Sequence, residues 1–471
     1  CEDLCGGCRV TGIPTASAKI KENVEMNINR YIRKIFIFAT TLILSVSSGV
    51  VRSEDAYSLL DTRIQTFINS PVMASLRERD ARGEVYIDYA IAEVDIGPEH
   101  PEWAKHRAVA YEKAFVDAQN KFIVSQGVEI ASDTVKSLFA DGSQEIPPYT
   151  KKDLTEGDKF RQLLTKVLAV GEGMLDNKLE EMGIDPKEFE SLPPKQRVTK
   201  LRDTIEKNAV KKAVGSLVGL FPYRTFEGKT ADGQHAIGVV VIYSPKIKQF
   251  AYDVLHARGN IEPVPGKGGK TLFDQINKER IYADFGIRRI YDENGYPVLV
   301  SFGQWSASSR SQDPRIRRKF ERIAEKQARS LADGAIATFL GSMVNFENAS
   351  TIGNSIEQHF DVDHTAFVDE VLVRQITDTI REKSRSRAKI HITGLQDLYR
   401  WSMKHPDYGH ALVGVVRVWS PASEKRARAL KNWKPTDRKK AERAKKTSAP
   451  LSNKGKTEVI EGTEYVSPSD L

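Results

Sequence analysis

The amino-acid sequence predicts an α+β protein of two related domains, each an antiparallel sheet with helices packed on one face. Two internal matches and one break in composition carry that reading. GQHAIGVVVIYSP (233–245) and YGHALVGVVRVWSP (408–421) keep a constant register of 176 between Gly238–Pro245 and Gly414–Pro421. AYEKAFVDAQ (110–119) and AEKQARSLAD (324–333) place alanines alike, with Ala110, Ala114 and Ala118 matching Ala324, Ala328 and Ala332. Between the halves, ARGNIEPVPGKGGKT (257–271) is rich in glycine and proline and reads as a linker.

The elements follow in order. EVYIDYAIAEVDI (84–96) is a strand signal that sets Val85, Ile87, Tyr89 and Ile91 on one face. Tyr86, Asp88, Ala90 and Ala92 take the opposite face. After His100-Pro101 comes the first alanine stripe. Small residues at i, i+4 and i+8 let a helix lie close against a sheet. Residues 152–217 are largely helical and read as an insertion. The branched and aromatic run ending at Tyr243 is a strand. It stops at Ser244, a helix N-cap, and Pro245, the first helical position. The second half opens with FGIRRIYDENGYPVLVSFGQW (285–305), two runs joined by a hairpin turn at Glu293-Asn294-Gly295. Asp313-Pro314 precedes the second alanine stripe, and Ser420-Pro421 repeats the strand-to-helix switch. The expected boundaries are 54–256, 257–271 and 272–423, followed by a basic, disordered tail over 424–471.

Charge is distributed unevenly. The net charge is +8, yet residues 424–446 alone hold 11 Lys or Arg against 3 Asp or Glu, and residues 54–423 come to −1. A neutral body argues against a nucleic-acid protein, while a basic arm can touch anionic surfaces through screened electrostatics. Met26 opens a signal-peptide pattern. Arg30, Arg33 and Lys34 precede the apolar run Ile35–Val46, and small residues lead to a cut after Ser53. The expected destination is periplasmic or secreted, with residues 1–25 a non-native upstream segment. No later stretch is apolar enough to span a membrane. Cys1, Cys5 and Cys8 match the cluster spacing of radical S-adenosylmethionine enzymes. That chemistry needs a loop organised within a large core, and the following RVTGIPTASAKIKENVE has no apolar period. No cofactor is expected, and no cysteine follows residue 8.

Several side chains are candidates for chemistry, each with a plainer alternative. In an extended chain His359, Asp361 and Asp363 share a face, and with His364 they could bind a divalent ion. The alternative is an amphipathic segment. His235 and His410 open the two repeated strands at nearly matching points, as paired ligands or as exposed polar residues at a turn. Trp305 and Trp401, with Trp419, Tyr399 and Tyr408, could stack a sugar or peptide, or pack in the sheet. PGKGGKT (265–271) lacks a phosphate-loop glycine at Val264 and belongs to the linker.

The alanine-striped helix followed by a GVV-x-[VI]-[YW]-SP strand resembles modules of exported bacterial envelope proteins. These are the lipoprotein-20 type and the N-terminal domain of flagellar assembly protein T. The whole chain is similar to an exported bacterial family without assigned function. The resemblance implies an envelope-associated binding or scaffold role without catalysis, with envelope proteins or a larger assembly as partners. No catalytic residue carries over. The alternative is a divalent-metal hydrolase of an envelope polymer, resting on His359, Asp361, Asp363 and His364.

Overall fold

A computed structural model describes residues 55–141, 145–169, 174–309, 311, 313–347, 372–379, 381–382, 392–405, 407–432 and 459–461. They belong to a compact unit, Glu54–Leu471. The expected upstream segment, the expected signal peptide and the quartet His359, Asp361, Asp363 and His364 lie outside the described residues.

The fold is α+β, with two antiparallel four-stranded sheets. Helices α1 (Ala56–Ile68) and α2 (Ala74–Ala81) precede β1 (Tyr86–Glu93), and the long α3 (Trp103–Asp141) follows. The helical insertion comprises α4 (Lys151–Thr155), α5 (Gly157–Val167), α6 (Asp176–Glu181), α7 (Pro186–Ser191) and α8 (Pro194–Ser216). Strands β2 (Leu220–Lys229) and β3 (His235–Tyr243) and helix α9 (Pro245–His256) complete the first half. The second half contains α10 (Leu272–Gln275), β4 (Gly286–Tyr291), β5 (Pro297–Ser306), α11 (Pro314–Glu347), β6 (Gln396–Lys404), β7 (Ala411–Trp419) and α12 (Pro421–Lys431). Strand β8 (Val459–Glu461) returns to the first sheet.

The two halves share a plan of three strands, with the fourth added on opposite sides. The first sheet runs β1-β3-β2-β8 and the second β4-β5-β7-β6. In each, the strand that ends at Ser-Pro is flanked by the strand preceding the alanine helix and by its own hairpin mate. Even the irregularities coincide. The β2 register slips between Pro222 and Arg224, opposite Val241 and Val240. The β6 register slips between Asp397 and Tyr399, opposite Arg417 and Val416. These steps of the two central strands are the positions paired by the register of 176. Such bulges bend a strand and increase its twist, so β2 and β6 bend at the same point.

The alanine stripes do what their spacing requires. All six alanines are buried. At Gly303 of β5 an added Cβ would lie 1.9 Å from the Ala328 carbonyl oxygen, so the helix backbone rests directly on the sheet. The alternation in β1 also holds. Ala90 joins the α3 side of the core, and Val85 and Ile91 join the side closed by α1. The Ser-Pro switches are true caps. The Lys246 N–H donates to Ser244 Oγ at 3.3 Å, and Ser420 forms a reciprocal box with Ser423. The predicted hairpin turn has Gly295 at φ +84°, with the Asn294 and Tyr296 N–H groups donating to Asp292 Oδ1.

The linker lies against the second half, with the Val264 N–H donating to the Gly295 carbonyl at 2.8 Å. The buried cores are continuous across the halves, since Phe285 and Leu412 join the α3 core and Leu299 and Ile336 join the α1 core. The expected tail is ordered at two places. Residues 424–431 continue α12, because Glu424 is buried and accepts from Trp419 Nε1–H at 2.9 Å. The backbone of β8 pairs with β2.

Candidate functional site

The repeated hairpins converge on the start of α3. Trp103 opens that helix, and its ring meets His235 at 5.2 Å, His405 at 5.1 Å and His410 at 6.2 Å, each nearly edge-on. His235 begins β3, and His405 and His410 bracket the loop into β7. The loop is tied by the His405 N–H donating to the His410 carbonyl and the Gly409 N–H to the His405 carbonyl, both at 2.8 Å. The structure thus brings His235 and His410 of the two halves to one indole. It buries His235 and half-buries His410, so neither is the exposed turn residue of the plainer reading.

Hydrogen bonds constrain the proton positions. Trp103 Nε1–H donates to His235 Nδ1 at 2.9 Å, which places the imidazole proton on Nε2. That Nε2 is buried and has no partner. His405 Nδ1 accepts the Asp407 and Tyr408 N–H groups at 3.3 Å each. Burial pushes His235 and His405 down to about 4, and it lowers His410 as well. All three imidazoles are therefore neutral at pH 7.

One turn along α3, Arg107 is fully buried and joins the two sheets. It makes a two-pronged ion pair with Glu227 of β2, with Nε to Oε1 at 2.6 Å. It also donates to Gln304 Oε1 of β5 at 2.9 Å and to the Tyr282 carbonyl at 2.7 Å. Its guanidinium lies 4.4 Å from the centre of the Trp103 ring. Removing either partner of such a pair would leave a buried charge uncompensated. The seam is a closed polar joint of neutral imidazoles, indole and ion pair. Among the described residues no three His, Cys, Asp or Glu side chains converge to hold a metal.

The open surface lies elsewhere. Strand β6 forms an edge of the second sheet, and Arg318, Glu321, Arg322 and Glu325 of α11 overhang it. With Arg400, Trp401, Ser402 and Val413 they line a groove open to solvent. Trp401 is half-buried and covers Gly414, whose added Cβ would lie 2.1 Å from the indole. Trp401 thus packs against the sheet and also lines the groove. Trp305 packs with Ala307, Ala324 and Val413 and does not line the groove. Sequence reasoning missed Trp103, Arg107 and Glu227. A Trp and an Arg four residues apart share one helix face, but nothing local shows that Glu227, 120 residues on, meets them.

A family described as a domain of unknown function (DUF6844) matches residues 160–256, from α5 through α9. The chain is also similar to a hypothetical protein from Francisella tularensis of known crystal structure. The identity is 23%, the TM-score 0.51, and the match covers 80% of this chain and 94% of the other. At that identity the likeness shows the fold alone. No curated protein matches the chain.

Proposed function

We propose that the protein is an exported, envelope-associated binding or scaffold protein that acts without catalysis. The observation that carries this reading is the groove beside β6, a sheet edge with Trp401 in its wall and no strand paired on its outer side among the described residues. An unpaired edge strand is a template for an extended segment of a partner. Arg400, Ser402 and Lys404 are exposed along it. The resemblance to lipoprotein-20-type modules and to the N-terminal domain of flagellar assembly protein T supports the envelope setting, as does the signal-peptide pattern at 26–53.

Mild crosslinking of cells producing the chain, followed by fractionation, tests the reading. Discrete crosslinked species should appear in the periplasmic or membrane fraction and fall at least fivefold in a Trp401→Ala/Ser402→Glu variant. A chain retained in the cytoplasm, or recovered only as free monomer, would end it.

A further inference from the structure

Helix α11 reaches beyond the sheet it covers. From Ala324 onward its alanine stripe is buried, but residues 313–323 are exposed all round. Ile316, Phe320 and Ile323 are 42%, 40% and 46% exposed. Spaced i, i+4 and i+7, they form one narrow apolar stripe. Arg315, Arg317 and Lys319 flank it, and Arg318 and Arg322 lie behind, with Glu321 the single acid from Arg315 to Arg322.

The tip combines its apolar stripe with cations that have no acidic partner among the described residues. Two turns further on, Arg329 is paired with Glu325 and Asp397. Arg400 and Arg417 are likewise paired with Asp397. None of Arg315, Arg317, Arg318, Lys319 or Arg322 forms an ion pair among the described residues. A protein with a near-neutral body thus holds three cations, Arg315, Arg317 and Lys319, beside an exposed apolar stripe on a helix capped by Asp313. An apolar stripe bordered by Lys and Arg is complementary to an anionic lipid surface, where rings enter the headgroup boundary and cations meet phosphates.

We infer that the exposed tip of α11, residues 313–323, docks on an anionic phospholipid surface through Ile316, Phe320 and Ile323. The inference rests on the envelope reading above and adds the partner's chemistry. It is independent of the β6 groove, because the apolar stripe lies on a different side of the helix from Arg318, Glu321, Arg322 and Glu325.

The test uses the compact unit Glu54–Leu471, which lacks the apolar run at 35–46. Co-sedimentation is measured with vesicles of phosphatidylglycerol and phosphatidylethanolamine, and with vesicles of phosphatidylcholine alone. Binding should be at least tenfold stronger to the anionic vesicles and fall with salt. Ile316→Glu/Phe320→Glu should reduce it at least tenfold, with far-UV circular dichroism unchanged. Ile316→Gln, a milder change at an exposed site, should reduce it in the same direction. Equal binding to both vesicle types overturns the inference. So does full binding by the double variant, which would assign the affinity to the 424–446 arm. Loss of self-association in the variant with unchanged vesicle binding overturns it too and assigns the stripe to a second copy. Vesicle binding without any crosslinked partner would leave this inference standing and remove the scaffold reading.

Discussion

Arg107 and Glu227 show how much of the joint depends on single side chains. Their charges are buried and mutually compensated, so removing one leaves the other stranded at a cost of about 3–5 kcal/mol. Arg107→Met should therefore lower the denaturant midpoint strongly, and Arg107→Met/Glu227→Met should recover part of the loss; additive losses in the pair would show that the ion pair is not the unit. His235 gives a second test. Its folded pKa of about 4 lies below the ordinary value of 6.5. The unfolded chain then binds more protons than the folded one between these values. Stability is complete above pH 6.5 and is lost as pH falls towards 4, by about 3 kcal/mol for His235. Glu206 works in the opposite sense, since burial raises it to about 7 and favours folding at low pH. The His235 contribution is isolated by comparing wild type with His235→Asn. Unfolding free energies between pH 7 and pH 4.5 should converge, and in the wild type alone the tryptophan fluorescence of the folded protein should change as pH falls through about 4. Parallel pH profiles would exclude His235 as the source.

At the scale of elements, the close approach of α11 to β5 is the most demanding contact. Gly303 has no space for a side chain, because the obstacle is helix backbone rather than a movable rotamer. Gly303→Ala should cost about 2–3 kcal/mol through forced separation of helix and strand, measured as a drop in melting temperature. Gly233→Ala, at φ +90° with nothing nearby, should cost less, by about 1 kcal/mol of backbone strain alone. An equal loss at both sites would refute the packing argument. These elements were legible in the sequence because each rests on local chemistry. Alanine spacing marks the helix face, Ser-Pro marks the switch, and Glu293-Asn294-Gly295 marks the turn. The edge position of β6 was not legible. Its residues Arg400 and Trp401 read the same in a central strand as at an edge, and only the pairing order decides between them.

For the whole molecule, doubling was legible but the meeting of the copies was not. The register of 176 predicts two like sheets, and the shared strand plan and matching bulges bear this out. That His235 and His410 would face one indole depends on Trp103, which has no tryptophan at its counterpart near Arg317. The copies diverged at the residues that join them, where repetition carries no information. Part of the positive charge expected on a tail lies on α12, since residues 424–431 are helical, and composition drew attention to residues 424–446 and away from the helix tip at 315–322. A short basic run within a long helix is ordinary by count, and only its place beside an exposed apolar stripe distinguishes it.

Strand β8 has a practical corollary. Three residues near the C-terminus clasp the outer rim of β2, which lies more than two hundred residues earlier. Trimming the last fifteen or so residues to shorten the product would unbuckle that rim and leave its amide row open to another chain. A version ending at residue 455 should oligomerise with rising concentration in light scattering, whereas the unshortened protein should not; identical scattering would show that the clasp is dispensable.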